Sequence, residues 1–187
     1  MKRFKDRITL EIANLKEATA LIIEKHYLHR GRTMAQLPYW VQLDGARVGV
    51  ILFAYPRMSV PYQGYGPMEL LELARMWIDP SFQEIRIQDS NEKEHTFPIA
   101  SCAIGKALRR IQNDWQNKYL RLPSVRACVS WADDTYHEGI IYRAANFREV
   151  GKTGRRSLRT GRRSDGGRIK PHPDLLHQKT AFLYSLR

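Results

Sequence analysis

The chain is poor in cysteine and in long apolar runs. Its two cysteines, Cys102 and Cys128, are too few for a disulfide framework and are typical of a reducing compartment. No segment approaches the roughly 20 apolar residues of a membrane span. The basic residues 1–7 are not followed by the apolar run of a secretory signal. These absences predict a soluble, cytoplasmic protein.

Acidic residues are also scarce relative to basic ones. The 187 residues include 31 Lys and Arg against 19 Asp and Glu, which gives a formal net charge of +12. Such an excess predicts an anionic partner, most often nucleic acid and less often a membrane surface or a phosphorylated cofactor. The most basic segment lacks an interleaved apolar face, so we expect no membrane partner.

The periodicity of apolar residues predicts a single α/β domain with a mixed central sheet and helices on both faces. The predicted strands are 7–13, 39–43, 47–53, 69–78, 125–131 and 179–186, and the predicted helices are 14–29, 98–119 and 137–146. Asn14 is the expected N-cap of the first helix, and Asp44 with Gly45 predicts a tight hairpin. The polar residues 79–97 are a predicted loop.

Two segments favour contact with a ligand. Residues 55–67 interleave proline and glycine with Tyr55, Tyr62 and Tyr65. These tyrosines either half-pack onto the core or form an aromatic platform for a nucleobase. Residues 150–170 contain eight basic residues, one acid and five glycines, and predict a basic arm. We therefore divide the chain into a core over 1–149, an arm over 150–170 and a closing strand within 171–187.

Four segments carry a recognisable pattern: 26–27 (His-Tyr), 70–75 (Leu-Leu-Glu-Leu-Ala-Arg), 129–134 (Val-Ser-Trp-Ala-Asp-Asp) and 137–147, which contains Ile-Tyr-Arg-Ala-Ala-Asn-Phe. Together they resemble the phage Mom family of DNA-modifying proteins, which are built on the acetyltransferase fold called GNAT. The resemblance covers roughly residues 8–153. It implies a GNAT-like catalytic core and a transferase that adds a methylcarbamoyl-like group to the N6 amine of adenine in phage or mobile-element DNA. That modification would protect the DNA from restriction in a bacterial host cell.

The resemblance and the residue chemistry select four candidate catalytic residues. Tyr142 matches the position of a general acid, and Glu72 on the middle strand matches that of a general base. An ion pair with Arg75 is the alternative for Glu72, although residues three apart on a strand face opposite sides. His26 is either an inward catalytic histidine or a satisfied core residue. Asp133 follows the end of a buried strand, where α/β folds gather ligands, and otherwise caps the next helix.

The donor site has a weaker signal. A GNAT domain usually carries a glycine-rich phosphate loop, which residues 98–103 here do not reproduce. The resemblance still implies acetyl-CoA or a related acyl-CoA, with phosphates held at a helix N-terminus. We expect this site to be lined by Ser101, Cys102, Tyr142 and Asn146. A metal has little support, because His26 with His29 and His172 with His177 lack partners at zinc-ligand spacing.

DNA is the expected macromolecular partner. The residues expected to contact it are Tyr27, Tyr62, Arg75, Arg143, Arg155, Arg156, Arg162 and Arg163. Adenine's amine is paired inside duplex DNA, so the base must be extruded or met unpaired. Two alternatives stay open: an ordinary acetyl-CoA-dependent N-acetyltransferase acting on a protein or small amine, and a non-enzymatic GNAT-derived nucleic-acid-binding module. Monomer and homodimer are both compatible with the sequence.

The basic arm predicts a steep salt dependence of DNA binding. If about six of its cations neutralise phosphates, log affinity should fall with log salt at a slope of about −5. Filter binding of a DNA duplex at several salt concentrations measures this slope. A slope near zero would contradict a phosphate-binding arm.

Overall fold

The computed structural model describes residues 4–32, 35–83, 86–88, 94–136, 138–153 and 177–186. The elements of the first half are α1 Phe4–Arg7, β1 Ile8–Ile12, α2 Leu15–Lys25, β2 Gln36–Leu43, β3 Ala46–Ala54 and β4 Leu70–Ile78. They confirm the predicted strand, helix, hairpin and middle strand. Asn14 caps α2 as expected, because its side-chain oxygen accepts hydrogen bonds from the backbone N–H groups of Lys16 and Glu17.

The second half completes the domain. Its elements are α3 Pro80–Gln83, β5 Arg86–Gln88, β6 Glu94–Thr96, α4 Ile99–Leu108, α5 Ile111–Lys118, β7 Ala127–Asp133, α6 Ile140–Ala144, β8 Arg148–Lys152 and β9 Lys179–Ser185. Among the described residues, no helix has the length and apolar content needed to cross a membrane.

A seven-stranded mixed sheet runs through the domain in the order β1-β2-β3-β4-β7-β9-β8. β4 and β7 are parallel, and the other neighbouring pairs of this sheet are antiparallel. β5 and β6 form a separate two-stranded sheet. The predicted α/β class with a mixed central sheet is confirmed.

Successive side chains along each strand point to opposite faces of the sheet, so the core has one part on each face. One face packs against α4, α5 and α6, with Trp115 and Tyr142 in its apolar cluster. On the opposite face, Ile22 of α2 packs against Trp40 of β2. Beyond α2 on that face, Tyr62 packs over β7 and β9. Helices therefore cover both faces, as predicted.

Two predicted boundaries are wrong. Residues 79–97 are not simply a loop, because they contain α3, β5 and β6; their polar side chains give no apolar period to detect. The single helix predicted over 98–119 is two helices. The chain breaks at Arg110, whose φ of −123° is not helical and whose guanidinium donates to the carbonyl oxygen of Leu10 at 3.0 Å. Its apolar stripe stays buried across the break, from Ile99 to Trp115.

The end of the core also differs from the prediction. α6 covers five residues rather than the ten predicted, because Gly139 and Asn146 adopt left-handed conformations at its two ends. The predicted arm begins inside β8, which pairs with β9 through residue 152. β8 is an exposed edge strand, so it lacks the alternation of apolar residues that identifies a half-buried strand. Residues 154–176, which hold most of the predicted arm, lie outside the described residues.

Gly139 is the position where the fold demands glycine most strictly, and Gly139→Ala tests it. Its φ is +72°, and an added Cβ would lie 2.3 Å from Cζ of the buried Phe182, which stacks on Tyr142. Left-handed strain and overpacking together should lower the free energy of unfolding by about 3 kcal/mol in urea denaturation. Gly45→Ala is the control, since φ is +85° there but nothing lies near the added carbon, and about 1 kcal/mol is expected. Equal losses would show that Phe182 moves aside freely.

Candidate functional site

β4 and β7 separate in the middle of the sheet. Their ladder joins Leu70–Glu72 to Ala127–Val129 and then ends, although β4 continues to Ile78 and β7 to Asp133. Two strands that run on without pairing leave a gap at their carboxyl ends, the position where α/β folds bind ligands. Ser130 stands at the start of this gap and donates from Oγ to the carbonyl oxygen of Leu73 at 3.2 Å. We call this feature the β4–β7 gap.

Tyr142 reaches the gap from the face covered by α6. Its ring stacks on Phe182 with centroids 5.1 Å apart and meets Phe147 edge-on at 5.8 Å. Burial raises the pKa of the Tyr142 hydroxyl, a hydrogen bond with Ser130 acts in the opposite direction, and the charge of Glu72 raises it further. The phenol is therefore protonated at neutral pH and held in one position, as a proton donor must be.

Glu72 lies on β4 where the gap begins. Its side chain is 14% exposed and forms an ion pair with Arg32, whose side chain is 6% exposed. Arg32 also donates to the carbonyl oxygen of Tyr55 at 3.0 Å, so its guanidinium is held at two points. Burial raises the pKa of the Glu72 carboxyl, against the pull of nearby arginines. A carboxyl group with a raised pKa is suited to take up a proton near neutral pH.

A bulge in β4 overturns the expectation that Glu72 and Arg75 face opposite sides. The register between β3 and β4 skips Ala74, which leaves one extra residue in β4. Leu73 before the bulge and Met76 after it accordingly pack into the same core. Glu72 and Arg75 therefore share the other face, and the charge of Glu72 raises the pKa of Arg75 against the dominant lowering by burial.

The surroundings of Glu72 are strongly positive. Arg32, Arg75, Arg57 and Lys179 each favour its ionised form. Arg75 is fixed by donating from Nε to the carbonyl oxygen of Arg30 at 3.1 Å. One carboxylate amid several cations leaves a positive field at the gap, which attracts an anionic group such as a phosphate.

The two aspartates at the end of β7 have different environments. Asp133 is 1% exposed; its Oδ2 lies 3.2 Å from Nδ1 of His177, and its Oδ1 accepts from the backbone N–H of Thr135. Asp134 is bound by Thr180 and Lys152. Although burial works to raise the pKa of the Asp134 carboxyl, those hydrogen bonds lower it. Asp134 ties β9 and β8 to β7, whereas Asp133 orients a histidine.

His26 and Tyr27 lie at the end of α2, which packs on the same face of the sheet as Glu72 and Arg75. His26 is the C-cap of α2 and is buried, in accord with its predicted inward position. Its Nδ1 accepts from the backbone N–H of Leu28 at 3.1 Å, which places the proton of a neutral ring on Nε2. The rings of His26 and Tyr27 stack with centroids 4.5 Å apart, and Tyr27 meets Tyr136 at 5.4 Å. These ring contacts connect the end of α2 to Tyr136, which lies three residues after Asp133.

The predicted donor residues have different local environments. Ser101 is buried and donates to the carbonyl oxygen of Pro98. Cys102 has the charged groups of Lys5 and Asp6 among its neighbours, which places it toward α1, and burial raises the pKa of its thiol. Asn146 is exposed and ends α6 in a left-handed conformation with φ of +65°. Tyr142 reaches the β4–β7 gap, and α4, which carries Ser101 and Cys102, contacts α6, which carries Tyr142.

Other predicted DNA contacts lie at the periphery. Tyr62 packs 6.4 Å from the ring of Trp131, which supports the alternative in which the loop tyrosines half-pack onto the core. Arg143 donates to Glu149 and to the carbonyl oxygen of Glu138 on the surface. The predicted contacts Arg155, Arg156, Arg162 and Arg163 lie outside the described residues. Within the described part of the chain, no three His, Cys, Asp or Glu side chains are grouped to hold a metal.

Comparison with known proteins identifies the family of this chain. The family model of the Mom protein family matches residues 7–179. The chain belongs to the Mom protein family. A comparison with curated protein sequences gives no match.

Solved structures resemble this Mom family chain in fold. A GNAT family acetyltransferase from Streptococcus pneumoniae superposes with a TM-score of 0.54 at 9% identity, covering 96% of this chain and 99% of that one. A putative acetyltransferase from Salmonella typhimurium with its cofactor acetyl-CoA gives 0.53 at 12% identity, covering 97% and 95%. An aminoglycoside acetyltransferase in complex with coenzyme A gives 0.53 at 11% identity, covering 95% and 94%. These likenesses confirm the predicted GNAT fold.

Sequence reasoning missed three residues of the site. A carboxylate on a central strand requires a cation, but nothing in the sequence selects Arg32 for Glu72. His177 drew notice only for its spacing from His172, not as the partner of Asp133. Tyr136 gave no signal, because a tyrosine in a turn is ordinary until the fold brings it beside Tyr27.

Replacing Arg32 by Met tests the buried ion pair. The Glu72 carboxylate then loses its hydrogen-bonded partner, and the free energy of unfolding should fall by about 3 kcal/mol at pH 7.5. Burial raises the folded-state pKa of Glu72 above the ordinary value of 4.5, so the penalty is absent below pH 4.5 and grows as pH rises. Urea denaturation should therefore show a much smaller loss at pH 4. Arg32→Met with Glu72→Gln should recover stability at pH 7.5, and an equal loss at both pH values would contradict this account.

Proposed function

We propose that this protein is a DNA-modifying transferase that adds a small, methylcarbamoyl-like group to the N6 amine of adenine. The observation that carries the proposal is that Glu72 and Tyr142 approach the β4–β7 gap of a Mom family chain from opposite faces and lie within electrostatic reach of each other. A base on one face and an acid from the other can then serve the attacking amine and the leaving group of one transfer. Protection of phage or mobile-element DNA from restriction is the corresponding biological role.

The reactive end of the gap fits an acyl donor of the coenzyme A type. Beyond Glu72, the edge of β4 that faces β7 has no paired strand among the described residues, so its amide groups can hydrogen-bond an amide-bearing arm. Related folds crystallised with acetyl-CoA or coenzyme A support this choice. Tyr142, Ser130 and the free edge of β4 would hold the donor, which when bound supplies an activated carbonyl carbon.

The protein's residues then manage two protons. As the adenine N6–carbon bond forms, Glu72 accepts the proton that the amine loses. As the bond to the leaving group breaks, the Tyr142 hydroxyl donates a proton to it. Arg32 keeps the Glu72 carboxylate in place, and Ser130 keeps the Tyr142 hydroxyl in place. The positive field from Arg75, Arg57 and Lys179 supports a polyanionic substrate such as DNA.

An ordinary N-acetyltransferase is the second candidate, because the structural neighbours include protein and aminoglycoside N-acetyltransferases. Both candidates use the same gap and the same acid. They differ in the acceptor, so the product separates them. A non-enzymatic nucleic-acid-binding module would give no product at all.

Tyr142→Phe tests the proposal in cells. Nucleosides from plasmid DNA of cells expressing the protein should contain a heavier deoxyadenosine by mass spectrometry, and its mass identifies the group added. The variant keeps the ring contacts with Phe182 and Phe147 but lacks the acid, so modification should fall about 100-fold while thermal stability is kept. Unmodified adenine in both samples, from a folded protein that binds DNA, would contradict the proposal and favour one of the alternatives.

A further inference from the structure

Two exposed tyrosines stand beside the β4–β7 gap. Tyr27 is 42% exposed and Tyr136 is 55% exposed, with ring centroids 5.4 Å apart. Neither belongs to the apolar clusters formed by the described residues, whereas Tyr62 and Tyr65 pack against such a cluster. Large aromatic rings that face solvent together, without covering the core, are suited to stack on a planar ligand.

His177 stands at the edge of these rings with a defined hydrogen-bonding pattern. Its ring centroid lies 5.8 Å from that of Tyr136. Because a carboxylate only accepts, the Nδ1 that faces Asp133 Oδ2 must be the donor, and Nε2 of the neutral ring is then an acceptor. Asp133 is buried with both of its oxygens engaged, so it acts through His177 rather than on a ligand.

The charges around the rings favour a nucleic-acid ligand. Arg75 lies within electrostatic reach of both Tyr27 and Glu72, which places its guanidinium beside the platform as well as beside Glu72. Lys179 lies opposite Asp133 in the ladder between β7 and β9, and its charge favours the ionised form of Glu72. Rings for stacking and cations for phosphates are the combination that holds unpaired nucleotides.

We propose that Tyr27 and Tyr136 form a platform for one unpaired adenine base, which stacks on the ring of Tyr136 while the ring of Tyr27, tilted by 45°, flanks it. His177 Nε2 accepts a hydrogen bond from the exocyclic amine of that base, and Asp133 is the positioning residue that fixes the His177 ring. The identity of the base rests on the proposed function, whereas the stacking and the amine contact rest on the geometry of these four residues.

Binding to three DNA duplexes by fluorescence anisotropy tests the platform with the full-length protein. The duplexes carry, opposite an abasic site, an adenine, a purine without the amine, or a second abasic site. Phosphate contacts are common to all three and cancel in the comparison. We expect the adenine duplex to bind about tenfold more tightly than the doubly abasic duplex. Tyr136→Ala should abolish that preference and Tyr136→Phe should keep it, because the phenyl ring still stacks.

The same duplexes separate the role of His177 from that of the rings. His177→Ala and Asp133→Asn should remove the preference for adenine over purine while leaving the preference for purine over the abasic site. Leu120→Ala, which removes a 77% exposed apolar side chain that the site does not use, should leave both preferences as in the wild type. A Tyr136→Ala protein that keeps the full preference for adenine would overturn the platform, and so would a wild-type protein that binds the three duplexes equally.

The duplex-binding assay tests the platform independently of the proposed transfer reaction. The assay needs no transfer reaction, so a clear base preference in a protein that never modifies DNA keeps the platform and removes the proposed chemistry. Modification of cellular DNA by a protein whose Tyr136→Ala variant binds the three duplexes like the wild type removes the platform alone.

Discussion

The separation of β4 from β7 is the constraint on which the rest of the site depends. A continuous sheet would keep the side chains of its two faces apart, because strands pair at about 4.8 Å and block passage between the faces. Here the parallel ladder ends after Glu72, and Tyr142 from one face comes within electrostatic reach of Glu72 on the other. The left-handed Gly139, packed against Phe182, sets the start of the short helix that carries Tyr142.

The surroundings of Glu72 are determined by the burial of its charge. Glu72 is held in the domain because Arg32 pairs with it and further cations surround it, and burial still raises the pKa of its carboxyl. The bulge at Ala74 brings Arg75 to the same face and so connects Glu72 to the exposed rings of Tyr27 and Tyr136. In the proposed function, the gap handles the protons and the outer surface with Tyr27 and Tyr136 holds a base and its phosphates.

Features that depend on short-range periodicity could be predicted from the sequence. Contacts between residues that are distant along the chain could not. The six predicted strands, the Asn14 cap, the hairpin at Asp44 and the family resemblance all follow from local patterns. The break at Arg110 left the apolar stripe intact, and the edge strand β8 has no apolar alternation, so neither was visible. Arg32 lies 40 residues from Glu72 along the chain, and Tyr136 lies 109 residues from Tyr27, so both contacts are tertiary ones that no spacing rule encodes.

The central claim is that the reacting atoms meet in the β4–β7 gap, between Glu72 and Tyr142. A crystal structure of the protein with coenzyme A tests it most directly. The account predicts that the thiol lies in the gap, within hydrogen-bond distance of the Tyr142 hydroxyl, and that the arm of the molecule pairs with the free edge of β4. Coenzyme A bound with its thiol away from the gap, on a surface that neither Tyr142 nor Glu72 borders, would contradict it.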